Sequence, residues 1–245
     1  MIVCGITDTG LHRRENQDRY IADVLPGGFT AAVVCDGMGG ANAGSVASSL
    51  AVETYMTQLR EGLRADMTDE QLRALIAACI AAANAAVFRH AAEDPACEGM
   101  GTTLVSALVR ENGEAVIANV GDSRAYHLAS EGITRVTRDH SVVEDLITQG
   151  RITEEEARCH PNRNLITRAL GTDEQTACDV YGVSLAPGEL LLLCSDGLVI
   201  TLHSEEMLSC VRGAESLPAA LKALIAGARE HGAPDNVTAV LIQNL

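Results

Sequence analysis

The spacing of apolar positions changes several times along the chain, and each change marks an element. Residues 2–7, 19–24 and 29–35 carry short apolar runs, the last ("FTAAVVC") the most continuous, and read as strands. Residues 43–60 then place Ala43, Val46, Ala47, Leu50, Ala51 and Thr54 at helical intervals, with Ser45, Ser48, Ser49 and Glu53 on the opposite face. Residues 70–92 repeat the pattern through Leu72, Leu75, Ile76, Cys79, Ile80, Ala83 and Val87, so two amphipathic helices follow the strands.

The strand-like period returns in "TTLVSALV" and "EAVIANV", joined by "RENGE", where Asn112-Gly113 is a strong hairpin signal. The short loop "GDSR" leads into "AYHL", which predicts an antiparallel meander rather than a βαβ series. Residues 141–158 read as two short polar helices. "DVYGVSL" and "ELLLLCS" predict a hairpin across Pro187-Gly188, residues 204–211 and 216–230 are helical, and "NVTAVLIQ" closes the chain as a strand. Strand groups alternating with helix groups predict an α+β fold in which sheets pack face to face with helices outside. The run "LLLL" at 190–193 predicts a strand covered on both faces. No linker, repeat or low-complexity block divides the 245 residues, so one domain is expected.

Composition narrows the function. Hydrophobic residues make up 47% and aromatics only 2%, so the core must be built from Val, Leu, Ile and Ala. The net charge of −15, with Lys and Arg scattered, excludes nucleic acid and anionic membrane as partners. Eight cysteines form no C-x-x-C pair, and none is followed six positions on by Arg, so neither a zinc ribbon nor a cysteine-dependent phosphatase loop is present. Cys35, Cys79 and Cys194 lie in apolar runs and read as small core residues. The N-terminus has no basic region or long apolar stretch, and the apolar run 74–88 is interrupted by Asn84 and too short for a bilayer, so a cytoplasmic protein is expected.

Candidate chemistry lies at the ends of the strands. Asp36 ends "AAVVC", Asp122 follows "AVIANVG", Asp196 follows "LLLLCS", Asp235 precedes the last strand and Asp18 begins the second. Singly, each is explained as a turn residue. Together they would converge on one rim, where unpaired carboxylates repel one another and lose solvation unless a cation offsets the cost. All-oxygen ligation suits Mg²⁺ or Mn²⁺ rather than zinc. Such a cluster can hold two ions about 3.5–4 Å apart, with Asp36 placed to bridge them, and activate a water for attack on a phosphoryl group. Arg13, five residues before Asp18, can reach the same rim and grip phosphate with its fork.

Eight ordered motifs, "TDTGLHRRENQDRY", "VVCDGMGG", "GTTLVSALV", "ANVGDSRAYHL", "TRDHS", "HPNRNLITRALG", "LLLCSDGL" and "APDNVTAVLI", span nearly the whole chain. They resemble the metal-dependent serine/threonine protein phosphatases of type 2C, the PPM family, in compact bacterial form. The resemblance implies a four-layer α-β-β-α sandwich, two antiparallel sheets between helix pairs. It implies hydrolysis of phosphoserine and phosphothreonine in proteins without a phosphoenzyme, as a monomer opposing a bacterial serine/threonine kinase. Carried over, Asp36 bridges two metals, the Gly37 carbonyl binds the first, Asp196 and Asp235 complete the second, and Asp18 acts through water or directly behind them. Arg13 holds the substrate phosphate, Asp122 with Asp196 forms a third, weaker site that Asn164 approaches, and residues about 145–170 form a mobile flap in which His160 is a candidate substrate contact. Two positions depart from the family pattern: Met38 replaces a His that some members use as general acid, and Gln17 replaces a Glu. His12 and His140 read as loop or capping residues. A scaffold that kept the fold and lost catalysis is the alternative; it should lack Asp36, Asp196 or Asp235, and all three are present.

Overall fold

A computed structural model describes residues 1–40 and 43–245. In chain order the strands are β1 (Ile2–Asp8), β2 (Asp18–Leu25), β3 (Phe29–Met38), β4 (Gly101–Thr102), β5 (Leu104–Arg110), β6 (Glu114–Val120), β7 (Arg124–Ala129), β8 (Gly132–Arg135), β9 (Asp179–Ser184), β10 (Leu190–Cys194) and β11 (Val237–Gln243). The helices are α1 (Ala43–Gly62), α2 (Asp69–Glu93), α3 (Val142–Thr148), α4 (Glu154–Arg158), α5 (Asp196–Thr201), α6 (Ser204–Arg212) and α7 (Leu217–Glu230). The strands form two antiparallel sheets, β1-β11-β10-β7-β8 and β2-β3-β5-β6-β9, with β4 paired to the end of β3.

Side-chain alternation explains the layering. Along β3, Ala31, Val33 and Cys35 face α1 and α2, while Ala32 and Val34 face the other sheet. Along β10, Leu191 and Leu193 join that inter-sheet layer, and Leu192 and Cys194 pack against α5, α6 and α7. The leucine run is therefore covered on both faces, as its sequence predicts, and the four-layer α-β-β-α sandwich stands. Cys35, Cys79 and Cys194 are all buried. Helix α2 starts at a capping box, Thr68 with Gln71. Its 25 residues, with a mean hydropathy of 1.6 over the most apolar window, are long and apolar enough to cross a bilayer, more than the run 74–88 suggests. The stripe Leu72–Ile76–Ile80–Val87 is nevertheless buried in the core beside α1.

Two expectations of connectivity fail. β5 and β6 pair across Asn112-Gly113 as expected, but β7 does not continue that meander; it pairs with β10 and β8 in the other sheet. Likewise β9 and β10 are not a hairpin: β9 pairs with β6, and β10 lies between β11 and β7. Turn chemistry at Gly121 (φ 103°) and Gly188 (φ 88°) reverses the chain but does not dictate which sheet receives the next strand. Ser48, expected on the polar face of α1, is buried and donates to the Gln17 carbonyl at 2.6 Å.

Register sets the site. Asp18 lies directly opposite Asp36 across β2 and β3. In the other sheet, Asp8 opposes Val237, and Cys194 lies between Ala239 and Arg124. The strand ends that lead into Asp122, Asp196 and Asp235 thus share one rim with Asp18 and Asp36.

Candidate metal centre and active site

Five carboxylates meet where the two sheets end. Asp18 is fully buried, and its Oδ2 accepts hydrogen bonds from Ser195 Oγ and Thr238 Oγ1, both at 2.7 Å. Its Oδ1 is buried without a hydrogen-bond partner among the described residues, and so is Oδ1 of Asp196. Asp36 is fixed through its backbone: its N–H donates to Thr103 Oγ1 (3.0 Å), and its carbonyl accepts from Thr103 N (2.9 Å) and Thr102 Oγ1 (2.8 Å). The residue lines a cleft of about 670 Å³ together with Arg13, Gly37, Asp122, Asp196 and Asp235. Gly37 has no room for a side chain, because a Cβ there would run into the Gly44 carbonyl oxygen. Arg13 Nη2 donates to Asp235 Oδ2 at 2.6 Å, and that bond is the first cause of its raised pKa.

The electrostatics are those of a cluster short of positive charge. Burial raises the Asp18 carboxyl to about 7, with Asp196 and Asp235 adding repulsion against its two hydroxyl donors. Burial likewise raises Asp196 to about 6, with further repulsion from Asp235, and a hydrogen bond with Asp36 works the other way. Asp36 is raised well above the carboxylate range, first by burial and then by Asp18 and Asp196. Asp122 is raised by burial and by Asp196 and Asp139, with Arg124 opposing. Burial and mutual repulsion thus disfavour the charged forms of these four carboxyls unless a cation compensates them.

The residues fit hard cations. Two carboxylate oxygens are buried and unpartnered, the donors are all oxygen, and a glycine brings backbone to the rim where a side chain would collide.

The opposite wall of the cleft comes from the segment of α3 and α4. Val143, Glu144, Ile147, Arg158, Arg163, Asn164 and Ile166 line it. Asn164 therefore shares the cleft with Asp122. His160 is not among the residues that line it: its Nδ1 accepts the Asn162 N–H at 3.1 Å, a local turn contact, and the segment's cleft-lining polar groups are Glu144, Glu154, Arg158, Arg163 and Asn164. Met38 and Gln17 both line the cleft. His140 is more than a cap; its Nδ1 accepts the Gly121 N–H at 3.1 Å, and its Nε2 lies 3.3 Å from Asp179 Oδ2. Burial lowers its pKa.

Sequence reasoning missed the groups behind the acids. Asp139 is buried and takes three contacts from Arg124, at 2.9, 3.0 and 2.6 Å, and one from Arg135 at 2.8 Å. Ser195 and Thr238 carry a signal in retrospect, since each is a hydroxyl beside a strongly apolar strand run. Asn236 carries none: its partners lie more than 200 residues away in sequence.

Comparison with known proteins agrees with this geometry. Residues 12–241 match the family model "Protein phosphatase 2C". The serine/threonine phosphatase stp of Listeria monocytogenes is 35% identical over 237 residues, covering 97% of this chain and 93% of that one. The crystal structure of a bacterial serine phosphatase superposes with a TM-score of 0.93 at 36% identity, covering 100% of this chain and 98% of the other. The catalytic domain of the serine/threonine protein phosphatase PstP, solved in complex with two manganese ions, superposes with a TM-score of 0.85 at 32% identity over 98% of this chain and 96% of its own. With its motifs, sandwich and acidic rim all in accord, the chain belongs to the protein phosphatase 2C family and is a metal-dependent protein-serine/threonine phosphatase of the bacterial type.

Proposed function

We propose that this enzyme removes phosphate from phosphoserine and phosphothreonine by direct attack of water, at a centre of two Mn²⁺ or Mg²⁺ ions. Asp36, the Gly37 carbonyl, Asp196 and Asp235 would hold the ions, with Asp36 the ligand they share. The observation that carries this reading is the pair of buried carboxylate oxygens, on Asp18 and Asp196, that have no hydrogen-bond partner among the described residues. When bound, such ions lower the pKa of a water held between them and neutralise the phosphoryl oxygens.

The chain's own residues do the rest. Asp18, held by Ser195 and Thr238 opposite Asp36 on the rim, orients what binds there. Arg13 faces the cleft beside Asp235 and holds the substrate phosphate with its fork. Asp122 and Asp196, with Asn164 across the cleft, would form a weaker third site. Met38 cannot donate a proton, so no side chain at that position protonates the leaving alkoxide. The segment about 145–170 acts as a flap over the cleft, and the whole chain works as one catalytic domain. It acts as a cytoplasmic monomer that reverses a bacterial serine/threonine kinase.

The test is hydrolysis of p-nitrophenyl phosphate and of a phosphothreonine peptide. Turnover should require millimolar Mn²⁺ or Mg²⁺ and stop with EDTA. Metal-independent turnover, or calorimetry giving a single Mn²⁺ per chain, would overturn the two-ion reading.

A further inference from the structure

Arg13 sits in residues 9–17, a stretch that belongs to no strand or helix. Its side chain is 54% exposed. A guanidinium on an irregular loop meets a phosphate at a fixed angle only if something holds the loop.

The side chain of Asn236 does so. It is buried, and both of its polar atoms are engaged with that loop. Nδ2 donates to the Thr9 carbonyl at 2.9 Å and to the Glu15 carbonyl at 3.0 Å, while Oδ1 accepts the Gln17 N–H at 2.8 Å. The three bonds reach both ends of the loop and flank Arg13. They stand in for the ladder bonds that the loop lacks. Leu11 N adds a bond to the Ala233 carbonyl at 2.9 Å. At Gly10 (φ 77°) a side chain would strike the Asp235 carbonyl oxygen, so the loop lies directly on residues 233–236.

We propose that Asn236 is a positioning residue for substrate phosphate: its carboxamide pins the loop so that Arg13 is presented to the cleft beside Asp235. The inference rests on Arg13 holding phosphate. The chemistry selects a carboxamide, since two carbonyls need donors and one N–H needs an acceptor on the same small group. A carboxylate of the same shape keeps the acceptor but turns an oxygen toward two carbonyl oxygens.

The test is a cycle of Arg13→Ala, Asn236→Ala and the double variant, assayed with p-nitrophenyl phosphate at saturating Mn²⁺ and with inorganic phosphate as inhibitor. Asn236→Ala should raise KM and the phosphate inhibition constant roughly tenfold, with a smaller change in kcat. In the Arg13→Ala background the same change should move KM less than about twofold, because the arm it positions is already gone. Mn²⁺ affinity by calorimetry should stay within about twofold of wild type, since the pinning bonds do not involve a carboxylate of the rim. Trypsin should cut after Arg13 or Arg14 faster in Asn236→Ala than in wild type.

Additive effects in the double variant, or a loss of Mn²⁺ affinity matching the rise in KM, would overturn the inference while leaving Arg13 in its role. An Arg13→Ala enzyme with unchanged KM would instead remove the reading beneath it, and the inference with it. If Asn236→Ala does not fold, Asn236→Asp carries the same cycle: it keeps the contact to Gln17 and loses both donors.

Discussion

Asp18 and Asp139 are both buried aspartates at the same end of the sandwich, yet the chain treats them in opposite ways. Asp139 is wrapped by two arginines, Arg124 and Arg135, with four contacts of 3.0 Å or less. Asp18 receives two neutral hydroxyls, keeps one oxygen unpartnered and faces further acids. Burying a carboxylate costs several kcal/mol unless it is paired. In the Asp139 region the chain supplies the compensating charge itself. On the rim it withholds that charge, and a site left short of positive charge is one that binds cations.

The largest effect that separates the two regions is on catalysis. Asp36→Asn should lower turnover by about a thousandfold or more, because it removes the carboxylate that both ions would share. The metal-free variant should be at least as stable as wild type in urea, because a raised, repelled carboxyl has been replaced by a neutral amide. Asp139→Asn should do the reverse. Leaving Arg124 without its acid, and Arg135 with Glu144 alone, should cost about 3–5 kcal/mol, as breaking a buried ion pair does. Urea midpoints of the two variants read together check this, and equal destabilisation would erase the distinction.

The second effect concerns pH. The folded pKa values of Asp18 and Asp196 are about 7 and about 6, above the ordinary carboxylate value of about 4. An acid whose folded pKa is raised stabilises the fold fully below its unfolded pKa and loses that contribution as pH rises through the folded one. The melting temperature of EDTA-treated protein should therefore fall between pH 4 and 7, by several degrees. Adding Mn²⁺ should reverse the slope, since the ions displace the same protons and bind better as pH rises. Asp18→Asn should flatten the metal-free slope, whereas parallel slopes with and without Mn²⁺ would mean the rim does not bind the metal.

What the sequence conveyed follows from which forces are local. Each rim acid sits at a strand end, and strand ends are readable from periodicity, so Asp18, Asp36, Asp122, Asp196 and Asp235 could be gathered before any coordinates. Gly37 was readable because a glycine after such an acid marks a close backbone approach. Sheet membership was not readable. The crossings at Gly121 and Pro187-Gly188 depend on which edge is free to receive β7 and β10, a long-range matter that turn residues do not encode. The same holds for Asn236, whose bonds reach across to residues 9–17, and for Asp139, whose arginines are ordinary surface residues by type. His160 is a titratable side chain in the same segment as Asn164 whose Nδ1 accepts from its own neighbouring backbone, a contact that residue type does not convey.

The smallest effect lies on the boundary between the regions. Asp122 is repelled by Asp196 on the rim and by Asp139 in the ion-pair cluster, and is attracted by Arg124. It is thus partly compensated by the chain, which suits a weak cation site rather than a principal one. Asp122→Asn should lower turnover at saturating Mn²⁺ by less than about tenfold and shift the urea midpoint by less than the equivalent of about 1 kcal/mol. Its Mn²⁺ titration should lose the weakest binding event and keep the tight ones, because Arg124 remains tied to Asp139 whichever residue stands at 122. A loss as deep as that of Asp36→Asn would move Asp122 into the principal centre and shrink the paired region to Asp139 alone.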